Sequence, residues 1–122
     1  MMIPIITSDS TGHSQFGDFD LVQKQRAGGG LVGTELQKVA YWQMSLSEPG
    51  DMIDYQTTDM TKVIAILSGQ MEITVSNGEI IRLTRGDMIY TTDVTGQGHK
   101  VEFVGLEPCL SLHMAMPEAF KA

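Results

Sequence analysis

The chain is poor in cysteine, in positive charge and in long apolar runs, and each shortage removes a class of protein. A single cysteine, Cys109, rules out an intramolecular disulfide. Eight Lys and Arg stand against fifteen Asp and Glu, for a formal net charge of −7. That balance offers no basic footprint to nucleic-acid phosphates or to an anionic membrane, so neither partner is expected. No stretch approaches the roughly 20 apolar residues of a membrane span. The opening Met1–Ile6 is apolar, but Pro4 interrupts it, and no basic n-region or long h-region of a secretory signal accompanies it. The expected location is a reducing cytoplasm. At 122 residues the expectation is a single domain over 1–122, with one real core.

No repeat, low-complexity tract or charge run is present either. Residues 1–16 read as an arm, since Ser, Thr, Gly and Asp dominate between Ser8 and Ser14, and His13 there reads as a solvated loop residue. Ala27-Gly28-Gly29-Gly30 reads as a loop. It is not a phosphate-binding fingerprint, because no helical pattern follows it. From Gln37 onward, extended runs alternate with turn signals every 8–12 residues or so. The expected strands are Ala40–Ser47, Met52–Thr58, Thr61–Leu67, Met88–Thr92, His99–Val104 and Cys109–Met116. Glu48-Pro49-Gly50-Asp51, Ser68-Gly69, Gly86-Asp87 and Gly96-Gln97-Gly98 punctuate them. No segment has a convincing helical period, so the fold class is all-β, with a barrel over about 37–116. Nine methionines suit an adaptable apolar interior.

The hairpin around Ser76-Asn77-Gly78 has a register that can be worked out. A two-residue Asn-Gly loop would set Ile73 opposite Arg82 and Glu72 opposite Leu83, mixing the faces. A three-residue loop with a left-handed Gly78 sets Met71 against Leu83, Ile73 against Ile81 and Glu72 against Arg82. The three-residue loop is therefore expected.

The stretch Ile64–Ile73 with its Leu67-Ser68-Gly69, then Gly78, Arg85-Gly86-Asp87 and Gly96-Gln97-Gly98-His99, resembles the small single-domain cupins over roughly residues 40–116. The resemblance implies a jelly-roll β-barrel. It also implies a site in which two histidines spaced HxH, a glutamate four positions later and a third histidine hold a metal. Counted back from Gly69, the first two histidine places fall on Gln56 and Thr58 and the glutamate place on Lys62. Only His99 matches, and Arg85 replaces a usual proline. Amide, hydroxyl and ammonium groups are poor partners for a metal that prefers imidazole, so no metal and no cofactor are expected, although Asp54 or Asp59 could in principle contribute.

In the cupin register Gln56, Thr58, Lys62, Ile64 and Ile66 project inward with His99, Val101 and Phe103. The Trp42/Met44/Leu46 face of the adjoining strand is the expected apolar lining. Tyr90 is counted at the mouth, though its neighbours Ile89 and Thr91 compete for the inward direction. Lys62 has two readings. It either snorkels out to pair with a carboxylate such as Asp54, or sits buried with a lowered pKa, able to donate to a carbonyl, stabilise an enolate or act as a base. His99 is the expected acid/base partner. His113, alternating with Ser111 and Ala115 against an apolar set, reads as outward-facing or at a subunit contact, and Cys109 on its face has no partner that would make it a nucleophile.

The expected activity is thus a metal-independent isomerase, cyclase or cycloaddition enzyme acting on a small apolar or conjugated molecule, with Lys62 and His99 catalytic. A non-catalytic binding or sensing module is the alternative, and a metal-dependent dioxygenase with atypical ligands the next. A homodimer is expected, with the arm covering a sheet edge.

Overall fold

The computed structural model describes residues 1–22 and 33–121, so the Ala27–Gly30 loop lies outside the described residues. Ten strands follow in chain order: β1 (Met2–Ser8), β2 (Ser14–Asp20), β3 (Tyr41–Ser47), β4 (Met52–Gln56), β5 (Thr61–Ser68), β6 (Gln70–Thr74), β7 (Ile80–Leu83), β8 (Met88–Thr91), β9 (His99–Val104) and β10 (Cys109–Met116). None of the described residues is helical, so none lies in a helix long and apolar enough to cross a membrane. The strands form a six-stranded sheet, β2-β1-β8-β5-β10-β3, facing a four-stranded one, β4-β9-β6-β7. Period-2 alternation from both sheets fills the space between them. Ile6, Ile64, Ile66, Met71, Ile73, Val75, Leu83, Ile89 and Phe103 pack there with Cys109. Each fully buried aliphatic side chain in such a core contributes about 1.5–3 kcal/mol.

The hairpin between β6 and β7 has the expected register, with Met71 opposite Leu83, Glu72 opposite Arg82 and Ile73 opposite Ile81. Gly78 takes a φ of 87°, its N–H donates to the Val75 carbonyl at 2.9 Å, and Val75 N–H closes the loop onto Glu79 O at 3.1 Å. Arg82 and Glu72 form the cross-strand ion pair at 3.3 Å.

The expected arm is instead a pair of sheet strands. β1 and β2 are antiparallel over seven residue pairs, and β1 runs parallel to β8 at Ile5–Tyr90 and Ile6–Thr91. The ladder to β8 begins only after Pro4, and a proline is tolerated where no ladder donor is needed.

A second correction concerns β3. Trp42, Met44 and Leu46 do not line the barrel; they point out of it and are 67%, 49% and 66% exposed. Alternation fixes which residues share a face, but the neighbouring strand decides which face is inside. β10 sets Cys109, Ser111 and Ala115 into the interior, where all three are buried, opposite Ser47, Ser45 and Tyr41. The interior at this point is a polar wall, and the apolar residues of β3 are outside it.

On the outer face of the larger sheet a separate cluster gathers Ile3, Val63, Tyr90 and Met116 under Leu21, Phe19 and Phe120. Tyr90 belongs here, 5.0 Å from the Phe19 ring, with its hydroxyl accepting the Phe120 N–H at 3.1 Å. It therefore does not reach the barrel interior as expected; Thr91, one residue on, does.

Candidate functional site

The interior is open at one end as a cavity of about 410 Å³. Ile64, Met71, Ile73, Val101 and Phe103 make its apolar floor, while Gln56, Thr58, Asp59 and Lys62 lie higher with Ser45 and Ser47 of β3. Of the residues expected to line it, Gln56, Thr58, Lys62, Ile64, His99, Val101 and Phe103 are present. Trp42, Met44 and Tyr90 are not.

His99 is held from behind by a residue the sequence did not single out. Asp93, in the connection after β8, is fully buried, and its Oδ2 lies 2.6 Å from Nδ1 of His99. Its Oδ1 has no hydrogen-bond partner. With Nδ1 engaged, Nε2 is the nitrogen that His99 has left for a ligand. An irregularity in the β4–β9 pairing sets Gln56 directly opposite His99. Just before His99, Gly98 adopts a φ of 74°, and a Cβ there would run into the Gln56 carbonyl. The glycine lets the two backbones approach closely enough to place His99.

Lys62 stands on the other sheet. Its ammonium donates to Asp59 Oδ1 at 2.9 Å, and the Tyr41 hydroxyl donates to Asp59 Oδ2 at 2.7 Å. The ammonium also lies 5.8 Å from the centre of the Tyr41 ring. Burial pushes Lys62 down, but Asp59 and Tyr41 outweigh it and hold it above the ordinary lysine value. Lys62 and Tyr41 in turn hold Asp59 below the usual carboxylate range. Of the two readings of Lys62, the paired cation holds and the buried amine of lowered pKa does not; its carboxylate is Asp59 rather than Asp54.

His113, expected outside, lines the cavity instead, because it shares the inward face of β10 with Ser111 and Ala115. Its Nε2 is 2.9 Å from Ser111 Oγ. Burial, with a contribution from the Lys62 charge, lowers its pKa below the usual histidine value of 6.5. A histidine whose folded pKa is depressed opposes protonation in the fold, so its contribution to stability is complete above the unfolded value and is lost as pH falls below it. The melting temperature is therefore expected to drop between about pH 7.5 and pH 5, with a smaller drop in His113→Gln, measured by calorimetry across that range. Cys109 is buried, which raises its thiol pKa and fits an inert side chain.

The resemblance to cupins raises the question of a metal. Of the four corresponding places, Gln56 and Thr58 offer neutral oxygens and Lys62 an ammonium already bridged to Asp59. The fourth, His99, has one nitrogen committed to Asp93. Among the described residues no three His, Cys, Asp or Glu gather where they could hold an ion. The donor set does not fit a transition metal.

The signal for His113 was present in the sequence, in the small, polar company it keeps on β10. Asp93 gave none, since nothing local marks a carboxylate as buried.

No family model matches the chain, and no curated protein does. Solved structures do. An uncharacterised conserved protein with a double-stranded β-helix domain from Klebsiella pneumoniae is 18% identical, with a TM-score of 0.55 over 83% of this chain and 87% of that one. An RmlC-like cupin protein from Desulfovibrio desulfuricans is 12% identical, with a TM-score of 0.47 over 93% of this chain and 81% of that one. The likeness concerns the fold alone, and by it the chain has a double-stranded β-helix fold.

Proposed function

We propose that the chain is a metal-independent enzyme that moves a proton within, or helps close a ring in, a small apolar carbonyl compound. The observation that carries this reading is His99 held by a buried carboxylate at the edge of an apolar cavity, with Lys62 and His113 on the facing sheet. Nε2 of His99 takes a proton from the carbon next to the carbonyl. The C–H electron pair moves into the carbon skeleton, and the carbonyl oxygen gathers the negative charge as an enolate. Lys62, a fixed cation, donates a hydrogen bond to that oxygen. Returning the proton to the same or a conjugated carbon completes an isomerisation. Attack of the enolate carbon on a second carbonyl carbon opens that C=O π bond, and its oxygen takes the proton back from His99 to complete a cyclisation. Gln56 orients the substrate, and the apolar floor excludes water. Such chemistry belongs with the tailoring of conjugated natural products.

The test is solvent exchange. The protein is incubated in D2O with a panel of hydrophobic ketones and enones, and deuterium next to the carbonyl is followed by NMR. The wild type is expected to label at least one compound above the buffer rate, and Lys62→Ala to label it about a hundredfold more slowly. Binding of panel members without labelling would replace the enzyme with a binding or sensing module. The pairing of Lys62 with Asp59, which already engages one of the ammonium's three donors, is the observation on that side.

A further inference from the structure

Ser111 and His113 share the inward face of β10, two residues apart. Ser111 is buried, and its hydroxyl has one hydrogen-bond partner among the described residues, Nε2 of His113 at 2.9 Å. A hydroxyl holds one proton and two lone pairs. If Nε2 carried the ring proton and donated it, the Ser111 proton would be enclosed without an acceptor, and a buried donor without a partner is costly. The arrangement that satisfies both groups has Ser111 Oγ–H donating to a bare Nε2. His113 then carries its proton on Nδ1.

That Nδ1–H is not enclosed, since Asp93 Oδ1 is the one buried side-chain polar atom without a partner among the described residues. His113 lines the cavity, so the free N–H opens there. The β10–β5 register pairs His113 with Ile64 and Ala115 with Lys62, which makes His113 and Lys62 diagonal neighbours on one face. Such neighbours stand about 7–8 Å apart, within reach of long side chains aimed at one point. Lys62 spends one of its three donors on Asp59 and has two more. Burial, and then the Lys62 charge, hold His113 below the usual histidine value, so at neutral pH the ring beside the ammonium is an uncharged donor. His99, on the other sheet, has the opposite role: Asp93 engages its Nδ1 and leaves Nε2 to accept.

We propose, resting on the enolate chemistry above, that His113 Nδ1–H and the Lys62 ammonium together form an oxyanion site whose ligand is the oxygen of a flat enolate or phenolate. An sp2 oxygen accepts along two in-plane directions. β5 supplies one donor and β10 the other, while Nε2 of His99 approaches from the four-stranded sheet. A substrate between the sheets thus presents its oxygen to β5 and β10 and its acidic C–H to β9. Its flat carbon skeleton rests on the apolar floor. Neither donor gives up its proton. Asp59 and Tyr41 keep Lys62 an ammonium, and a neutral ring that lost Nδ1–H would become an imidazolate. The oxygen therefore stays an anion held by two hydrogen bonds, and the C–H proton goes to His99 and returns from it. Ser111 is the positioning residue, because its hydroxyl fixes the tautomer that turns a donor towards the oxygen.

Two measurements on the full chain test this without a substrate. In nitrogen–proton multiple-bond NMR at slightly alkaline pH, His113 is expected with its proton on Nδ1. Ser111→Ala should move that proton largely to Nε2, the tautomer a free histidine ring prefers. The second probe is para-nitrophenol, which is yellow only when ionised. Its ionisation midpoint is expected to fall by about one pH unit on binding the wild type. His113→Phe, and separately Ser111→Ala, should bind the phenolate about tenfold more weakly. His113→Asn, whose amide N–H stands near the place of Nδ1, should keep most of the affinity. If His113→Phe does not fold, Ser111→Ala carries the same comparison. A wild-type His113 protonated on Nε2 overturns the proposal. So does a wild type that does not bind the phenolate, or an affinity that His113→Phe and Ser111→Ala leave unchanged. Phenolate bound as expected, with no ketone exchanging deuterium, would keep the oxyanion site and remove the turnover, so the two fail separately.

Discussion

Asp93→Asn is expected to lower kcat by about a hundred- to ten-thousandfold, the range spanned by loss of a positioned acid/base group, with KM nearly unchanged. The change keeps the shape of a side chain that is fully buried, so the cavity floor stays as it is. What it removes is the acceptor 2.6 Å from Nδ1 of His99. An amide can turn its NH2 towards that nitrogen, favouring the tautomer that carries its proton on Nε2. The ring would then donate where it must accept. Because Asp93 Oδ1 has no partner to lose, the melting temperature should change little. The measurement is steady-state kinetics on whichever ketone the exchange assay selects, alongside His99→Gln. If Asp93→Asn keeps near wild-type turnover while His99→Gln is inactive, Asp93 is a structural anchor only. If both retain turnover, the proposed chemistry is wrong.

Gly98→Ala should destabilise the fold by about 3–5 kcal/mol, combining left-handed strain of about 1–3 kcal/mol with displacement of neighbouring backbone. The φ of 74° is one cost, and the collision of the new methyl with the Gln56 carbonyl is the other. That carbonyl belongs to the backbone, so relief requires β4 and β9 to part where Gln56 faces His99. Urea unfolding should show a lower midpoint with an unchanged slope, and turnover should fall even well below that midpoint. A midpoint within experimental error of wild type would show that the bulge in β4 absorbs the methyl, and would remove Gly98 from any role in placing His99.

Much of this fold could be read from residue order alone, because local rules and burial agree over most of the chain. β9 and β10 begin and end at the expected residues, and the β6–β7 register follows from Glu72 and Arg82 needing one another. The expectation failed where alternation was clear but its direction was not. On β3 and β10 the larger apolar residues were assigned to the interior, the usual outcome when a barrel is solid. Here the interior is a cavity, so Ser45, Ser111 and His113 face it, and Trp42 and Leu46 face away. The candidate site was half legible. His99, Gln56 and Thr58 came from motif spacing, while Asp93 and the Asp59–Lys62–Tyr41 cluster depend on tertiary approach that no local pattern encodes. β1 and β2 were missed because the Ser8–Ser14 composition was read as an arm.

The place of β10 in the larger sheet bears on how the molecule is made. β10 lies between β5 and β3, pairing with both. During synthesis β3 and β5 leave the ribosome long before Cys109–Met116 exists, and until then each lacks its neighbour on that side. Among the described residues β3 is the one uncharged edge, and β10 is its only strand partner in the sheet. The nascent chain must therefore carry its stickiest strand unpaired until β10 emerges, a window in which aggregation competes with folding and chaperones have surface to hold. The β6–β7 hairpin closes locally and early, but the six-stranded sheet is completed only when its second-to-last strand is laid into the gap kept for it.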